Sequence, residues 1–245
     1  MLYIYIGMKK RILKYQQQVL KALSGKIDDF YLAGGTALSI FYFQHRLSVD
    51  LDFFTKTFSL KRIEQIIANL RQELNKPIRQ ARRVLEEKLA KMIVYNVNFT
   101  KQDSLKIDFV EDAARLIKKP KTVDGINILS LEDIYIRKIY ALAGVIRTVD
   151  EVGRPHFTGG RADAKDFYDL YYLSHTFMPM SRFVMKYCDD VTMEALVMWH
   201  RTYQRLSIAD GILTLETDKT IDYKIMERHF NKEINALIEQ GLSNL

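Results

Sequence analysis

Two aspartates, Asp50 and Asp52, stand two residues apart in the segment Val49-Asp-Leu-Asp-Phe-Phe54. Apolar and acidic residues alternate here, and this period of two predicts a β-strand with both carboxylates on one face. At about 3.3 Å of rise per residue the carboxylates lie roughly 7 Å apart, so they can converge on hard divalent cations, which prefer oxygen ligands. The pair therefore predicts a Mg²⁺ site with Asp50 and Asp52 as ligands.

A glycine pair precedes these acids, directly after a predicted buried strand end at Phe30 to Leu32. Gly34 and Gly35 allow the backbone to turn or to approach a ligand closely, because glycine accepts dihedral angles that other residues avoid. Thr36 is expected at the start of the following helix, where its hydroxyl can cap the helix or contact a phosphate. Four apolar residues should continue this helix into the core: Leu38, Ile40, Phe41 and Phe43.

A third aspartate, Asp108, lies on the later predicted strand Leu105 to Val110. Alternation puts Ile107 and Phe109 on one face of this strand and Lys106 with Asp108 on the other. If this strand neighbours the first acidic strand, Asp108 joins the acid pair as a third metal ligand. If it does not, Asp108 is a surface residue paired with a lysine.

Each feature alone has an ordinary explanation, because Gly-Gly after a strand is usually only a turn and Asp-x-Asp often lies on the solvated face of a sheet. Their combination in one strand-helix-strand unit resembles the signature of the nucleotidyltransferase superfamily typified by DNA polymerase beta. More narrowly, Leu32-Ala-Gly-Gly-Thr-Ala-Leu followed by His45-Arg-Leu-Ser-Val-Asp-Leu-Asp-Phe-Phe54 resembles the AbiEii/AbiGii family of toxin nucleotidyltransferases. The resemblance implies nucleotide binding by Gly34, Gly35, Thr36, Arg46 and Ser48.

A lysine in the second half of the chain carries a further part of this resemblance. Ser130-Leu-Glu-Asp133 has the pattern of a capping box and begins a predicted helix that extends to Ile146. The resemblance implies a functional role for Lys138 on this helix, with Arg137 as the alternative. Without the resemblance, such a lysine is ordinarily a solvated residue.

A second acidic motif follows at Arg161 to Leu173, where another helix is predicted. Lys165-Asp-x-x-Asp-Leu170 resembles the closing motif of the family, and the resemblance assigns a functional role to Asp166. Asp166 and Asp169 lie on neighbouring parts of one helical face, so an ordinary salt bridge is the alternative explanation. The glycine-rich segment 148–160 is predicted to be a loop, either a lid or an insertion.

Composition limits the protein class. The chain has 245 residues, 48% hydrophobic, which can bury a sizeable core, and a formal charge of +7, which favours an anionic partner such as a nucleotide or RNA. The single cysteine excludes an internal disulfide, and the scattered histidines do not predict a zinc site. The apolar run 2–6 is too short for a signal peptide. A cytoplasmic protein is therefore expected. Basic residues recur through the segment 76–121: Lys76, Arg79, Arg82, Arg83, Lys88, Lys91, Lys101, Lys106, Arg115, Lys118, Lys119 and Lys121.

The predicted fold is α/β (α+β). Residues 1–129 are expected to form a nucleotidyltransferase domain with a small mixed β-sheet flanked by helices, and residues 130–245 a helical domain that completes the active-site cleft. Helices are predicted from Phe183 to Cys188, from Val191 to Leu206 and from Tyr223 to Leu242.

The function implied by the resemblance is Mg²⁺-dependent transfer of a nucleoside monophosphate from an NTP, with GTP or CTP as the substrate, to an acceptor hydroxyl. The acceptor implied is RNA, specifically tRNA, and the protein would be the toxin of a toxin–antitoxin or abortive-infection system, with a cognate antitoxin encoded nearby. Two alternatives stay open: transfer to a small molecule or a protein, and a non-catalytic RNA-binding module of the same fold.

Overall fold

The computed structural model describes residues 2–86, 90–149, 151–153, 155–217, 219 and 222–243. The chain divides into two compact units, with the boundary between Ser130 and Leu131. Unit 1 contains a mixed sheet with helices, and unit 2 is mainly helical. The predicted α/β fold class is confirmed. No helix in the described ranges has the length and apolar character needed to cross a membrane.

Unit 1 is built on a seven-stranded sheet. Its strands are β1 (Tyr31–Leu32), β2 (Asp50–Thr55), β3 (Ile78–Val84), β4 (Met92–Asn98), β5 (Ser104–Glu111), β6 (Lys121–Val123) and β7 (Ile126–Ile128). Its helices are α1 (Leu2–Leu23), α2 (Gly34–Ala37), which continues as a π-helical segment (Leu38–Tyr42), and α3 (Leu60–Leu74). The strand order is β3-β4-β5-β2-β1-β7-β6, so β2 and β5 are neighbours near the centre.

The core of unit 1 forms on the apolar face of β2 and β5. Leu51, Phe53, Ile107 and Phe109 are each fully buried, and the rings of Phe53 and Phe109 stack with centroids 5.9 Å apart. The alternation read from the sequence therefore separates an apolar face from a polar one on both strands. α3 adds the buried residues Ile63, Ile66, Ile67 and Leu70.

The helix predicted after the glycine pair is present, but it changes form along its length. α2 ends at Ala37, and the backbone then widens into a π-helical turn in which the Phe43 N–H donates to the Leu38 carbonyl at 2.7 Å. Leu38 is buried, but Ile40 and Phe43 are only half-buried, as is Phe41. Of the four apolar residues predicted to reach the core, Leu38 does so, whereas the other three stay partly exposed.

Unit 2 contains six helices and one hairpin in the part of the chain that the structure describes. The helices are α4 (Leu131–Ala143), α5 (Ala164–Thr176), α6 (Met180–Tyr187), α7 (Asp190–Thr202), α8 (Arg205–Leu213) and α9 (Tyr223–Ser243). The strands β8 (Ile146–Val149) and β9 (Pro155–Thr158) pair antiparallel.

Three predictions for unit 2 are corrected. Ile146 lies on β8 and is 60% exposed, because α4 ends before Gly144, which has a φ of +69°. The segment 148–160 is largely a hairpin rather than a loop. α7 ends at Thr202, where the extended backbone of Tyr203 separates it from α8, a helix that the sequence pattern did not predict.

The hairpin is held close to the end of α4 by its glycines. The Arg161 N–H donates to the Ala141 carbonyl at 2.7 Å, so the chain that leaves β9 lies against the last turn of α4. A Cβ on Gly144 would lie 2.7 Å from the Gly160 nitrogen and would also collide with the Thr158 carbonyl. This close approach positions Arg161 immediately before α5.

Gly144→Ala should destabilise unit 2 by more than about 2 kcal/mol, since it combines a left-handed backbone with a clash against backbone atoms. Gly153→Ala is the matched control, because Gly153 also has a positive φ (+79°) but has open space around its Cα. This control should lose only about 1 kcal/mol. Urea unfolding followed by circular dichroism measures both, and equal losses would contradict the packing described for Gly144.

Candidate active site

The polar faces of β2 and β5 bring the predicted acids together. The two strands pair in parallel, with Asp50 opposite Lys106 and Asp52 opposite Asp108. The Lys106 Nζ lies 3.2 Å from Asp50 Oδ2 and 3.0 Å from Asp108 Oδ2. Lys106 therefore bridges carboxylates from two adjacent strands. We call Asp50, Asp52, Asp108 and Lys106 the acidic face.

Of the two carboxylates that Lys106 bridges, Asp108 is less exposed to solvent than Asp50. It is 8% exposed, and its Oδ1 is buried without a hydrogen-bond partner. Burial raises the pKa of Asp108 above its ordinary value; Lys106 offsets part of this increase, and the charge of Asp50 adds to it. The positive charge around this buried carboxylate thus does not fully offset the effect of burial.

Lys106 has the opposite balance. Burial lowers its pKa, but the carboxylates of Asp108 and Asp50 outweigh this effect and raise the pKa above the ordinary lysine value. Lys106 is therefore an ammonium ion at neutral pH. It is the cation that Asp50 and Asp108 share in this structure.

Asp52 lies beside the glycine turn. The Ala33 N–H donates to the Asp52 carbonyl at 2.9 Å, which fixes the turn against β2. Gly34 has a φ of +67°, and a Cβ there would lie 3.3 Å from Asp52 Cγ and collide with a carboxylate oxygen. Glycine is therefore required at position 34 by its backbone conformation and by the approach of Asp52.

Hydrogen bonds of Thr36 and Ser48 hold the glycine turn in place. The Thr36 hydroxyl lies 2.8 Å from Ser48 Oγ and also bonds the Asp50 carbonyl, and Thr36 is fully buried. The helix begins at Gly34 without a side-chain cap, so Thr36 does not have the first of the two roles considered for its hydroxyl. Its hydroxyl is used within the protein, and phosphate contacts at this turn would fall to backbone amides.

Arg46 and Gln16 complete the support. Arg46 is 5% exposed and donates to the Leu47 carbonyl at 3.0 Å, while a Cβ on Gly35 would collide with its guanidinium. Gln16, buried on α1, donates to the Ser48 carbonyl at 2.8 Å. Both side chains hold the loop that leads into β2, so they position Asp50.

A divalent cation is chemically compatible with the acidic face. No three carboxylate, imidazole or thiol side chains are already gathered around a metal position in the described ranges. However, Asp50 and Asp108 already share one positive charge, and Asp108 Oδ1 is a buried acceptor without a donor. Carboxylate oxygens are the ligands that Mg²⁺ prefers. The residues fit Mg²⁺ provided that the Lys106 ammonium moves.

Unit 2 contains a second charged group. The Lys138 Nζ lies 2.5 Å from Asp166 Oδ1 and 2.7 Å from Asp169 Oδ2, and Arg161 bonds the other Asp166 oxygen. Lys138 is 6% exposed, and both aspartates are fully or almost fully buried. We call these four residues the lysine network.

Opposite charges stabilise the ionised form of Asp166. Burial alone would raise the pKa of Asp166, but Lys138 and Arg161 outweigh burial and lower the pKa below the ordinary aspartate value. Asp163 accepts a hydrogen bond from the Lys165 N–H at 2.9 Å and so caps α5. Asp166 is therefore in the first helical turn, where a negative charge is favourable.

The structure distinguishes Lys138 from the other basic residues considered at these motifs. Arg137 binds Asp133, one turn earlier on α4, at 3.3 Å, and Lys165 is exposed. Lys138 is the lysine that is buried and bonded to Asp166.

Sequence reasoning did not assign roles to Lys106, Asp169, Arg161 or Gln16. Lys106 had a usable signal, because alternation already placed it on the face of Asp108. Gln16 had a weaker signal, as a polar residue on the apolar side of α1. Arg161 had none, since its position depends on the hairpin.

The basic segment 76–121 is not uniform. β3 is an edge strand, and its Arg79, Arg82 and Arg83 are exposed. Other members are engaged within unit 1: Lys91 pairs with Glu111 at 3.3 Å, and Lys106 belongs to the acidic face. Lys88 lies outside the described residues.

A family profile and a sequence relative match most of this chain. The profile of the nucleotidyl transferase AbiEii toxin of type IV toxin–antitoxin systems matches residues 18–242. An uncharacterised protein of Aquifex aeolicus (strain VF5) is 32% identical over 168 residues, which cover 67% of this chain and 68% of that protein.

Two solved structures share the fold. JHP933 from Helicobacter pylori has a TM-score of 0.55 at 16% identity, covering 96% of each chain. MenT4, the nucleotidyltransferase toxin Rv2826c from Mycobacterium tuberculosis H37Rv, has a TM-score of 0.52 at 12% identity, covering 94% of this chain and 84% of that one. With the profile match over most of its length, the chain belongs to the nucleotidyl transferase AbiEii toxin family and is a nucleotidyltransferase.

Proposed function

We propose that this protein transfers a nucleoside monophosphate from an NTP to a hydroxyl group of RNA, with pyrophosphate as the leaving group and Mg²⁺ held by Asp50, Asp52 and Asp108. The observation that carries the proposal is the shared ammonium on the acidic face, because it marks a position where two carboxylates from different strands accept one cation. When bound there, Mg²⁺ supplies charge neutralisation at the phosphates and activation of the acceptor hydroxyl.

The nucleotide would bind with its phosphates over the turn at Gly34, Gly35 and Thr36. Backbone amides at the start of a helix favour anions, and the hydroxyl of Thr36 is already used within the protein. Arg46 and Ser48 then act by holding the turn rather than by touching the phosphates with free side chains. GTP or CTP is the proposed substrate.

Lys138 would supply positive charge to the triphosphate. Asp166 and Asp169 hold its ammonium at 2.5 Å and 2.7 Å, so the lysine side chain is fixed before a substrate arrives. A preorganised charge stabilises a transition state without the cost of reorganisation. Asp166 would orient Lys138, and Arg161 would keep Asp166 ionised.

The proposed acceptor is tRNA. Exposed Arg79, Arg82 and Arg83 on β3 form a basic strand at the edge of the sheet, and the chain carries a formal charge of +7. Such a strand suits a phosphate backbone. As the toxin of a toxin–antitoxin or abortive-infection system, the protein would stop growth by modifying tRNA, with a cognate antitoxin encoded nearby. A small molecule or a protein is the alternative acceptor.

Incubation with each labelled NTP, Mg²⁺ and total RNA tests the proposal directly. Label should appear in the tRNA fraction and should depend on Mg²⁺. Label found only in a small molecule or in protein would refute the RNA acceptor, and no transfer from any NTP would refute the reaction.

Asp50→Asn should reduce nucleotidyl transfer about 10³-fold or more, because it removes a carboxylate proposed to bind the metal. The melting temperature should stay near wild type, since Asp50 is partly exposed and Lys106 keeps its bond to Asp108. Glu111→Gln is the matched control. Glu111 is the last residue of β5, has an exposure similar to that of Asp50 and pairs with Lys91. Initial rates of transfer and thermal unfolding check both variants; full activity in Asp50→Asn would refute the metal assignment.

Lys138→Gln and Asp166→Asn should each reduce turnover about 10²-fold, and the double variant should be little worse than either single one, as for groups that act as a unit. Rates must be measured well below each melting temperature, because loss of Lys138 leaves buried carboxylates without their counter-ion.

Asp169→Asn is the control for this pair, since Asp169 contacts the same ammonium and is equally buried. It should lose stability but keep most of the activity, because Asp166 still holds Lys138. A loss of turnover as large as that of Asp166→Asn would assign the effect to the network as a whole instead of to Asp166.

Replacing Arg79, Arg82 and Arg83 together by glutamine should weaken tRNA binding and reduce the slope of log K against log salt by about 2. The control replaces three exposed basic residues of unit 2, Arg182, Lys186 and Lys232, by glutamine, which removes the same charge. Filter binding over a range of salt concentrations measures both. Unchanged binding in the first variant would favour a small-molecule acceptor.

A further inference from the structure

We propose that Lys106 is a displaceable internal cation that occupies the metal position when no divalent ion is bound, and that it thereby limits metal binding in the absence of nucleotide. The inference rests on the proposed function, because it takes Asp50 and Asp108 as ligands of the cation used in transfer. It concerns a residue to which the family resemblance gave no role.

The backbone fixes Lys106 in this position. Lys106 is the register partner of Asp50 across the β2–β5 pair, and it lies two residues before Asp108 on the same face of β5. Its Nζ therefore reaches one carboxylate on each strand, at 3.2 Å and 3.0 Å. A cation that joined Asp50 to Asp108 would need the same space between the two carboxylates.

Two cations cannot share this space. An ammonium and a divalent ion about 3 Å apart would repel strongly in a partly buried site, so the entry of the metal requires the ammonium to leave. Lys106 is able to leave, because its side chain is 38% exposed and ends a flexible four-carbon stem. A lysine that bonded both carboxylates but had no route to solvent would instead prevent the metal from entering the site.

Displacement also links the metal to the nucleotide. Once removed from Asp50 and Asp108, the ammonium has lost both of its charged acceptors, and the oxygens of a triphosphate would replace them. The free enzyme should therefore bind Mg²⁺ or Mn²⁺ weakly, and a nucleotide should strengthen the binding of the metal. Lys106 would then bind carboxylates in the free enzyme and phosphate oxygens in the loaded enzyme.

Calorimetric titration of the protein with Mn²⁺ in the absence of nucleotide tests the competition between Lys106 and the metal. Lys106→Gln should bind Mn²⁺ at least about tenfold more tightly than wild type, since no ammonium has to leave. Lys91→Gln is the matched control: Lys91 has a similar side-chain exposure of 39% and one carboxylate partner, Glu111, but no contact with the acidic face. It should change Mn²⁺ affinity by no more than about twofold, the general effect of one lost charge.

Thermal unfolding supplies a second reading of these variants. In EDTA, Lys106→Gln should melt below wild type, because Asp50 and Asp108 then repel each other. Saturating Mn²⁺ should raise its melting temperature more than that of wild type. Equal Mn²⁺ affinities, or weaker binding by Lys106→Gln, would overturn the role proposed for Lys106.

A measurement on the wild-type protein covers the case in which Lys106→Gln does not fold. Lys106 can be acetylated with a limiting amount of acetic anhydride and the product measured by mass spectrometry. Acetylation of Lys106 should be faster with Mn²⁺ than in EDTA, while acetylation of Lys91 should not change. An unchanged or slower rate at Lys106, with Mn²⁺ shown to bind, would overturn the inference alone. Absence of any Mn²⁺ binding in wild type and in Lys106→Gln would overturn the metal site of the proposed function and, with it, this inference.

Discussion

The parallel pairing of β2 with β5 is the constraint on which unit 1 depends. It places Asp50 and Asp108 within reach of one ammonium, and Asp108 is almost completely buried. Two carboxylates close enough to share one ammonium repel each other, and this repulsion opposes folding unless a cation lies between them. Lys106 supplies that cation, while the fully buried Leu51 and Phe109 on the opposite face supply the apolar burial that keeps the strands paired. Stability and site chemistry therefore come from opposite faces of the same two strands.

The lysine network of unit 2 also pairs carboxylates with basic side chains, and three of its four members are buried. Lys138, Asp166 and Asp169 are all buried, and the bonds between them are short. A buried ion cluster of this kind is weak support for stability, because well-packed apolar residues of the same volume often serve as well or better. Its presence at the start of α5 is better explained by a need for a fixed charge. This is the physical reason for proposing that Lys138 acts on the substrate.

Local sequence patterns predicted strand faces well, but they failed where the backbone conformation of one residue determined where an element ends. Alternation gave the faces of β2 and β5, but the sequence could not show that the two strands are neighbours, since pairing depends on contacts far apart in the chain. The predicted helix through Ile146 was wrong because Gly144 takes a left-handed conformation, and the loop at 148–160 was wrong because β8 and β9 are short and mostly exposed. Lys106 was read only as a possible partner of Asp108, because its bond to Asp50 required the register.

The two lysines differ in the property that should matter most for their proposed roles. Lys106 has a side chain that is 38% exposed and contacts acids that a metal would also use, so its charge can move. The Lys138 side chain is 8% exposed and is held by two buried carboxylates, so its charge is fixed. A charge that stabilises a transition state works best when it is already in place, whereas a charge that only protects an empty site must be able to leave. Exposure therefore separates a residue that suits the reaction from one that suits the resting enzyme, although both are lysines bonded to two aspartates.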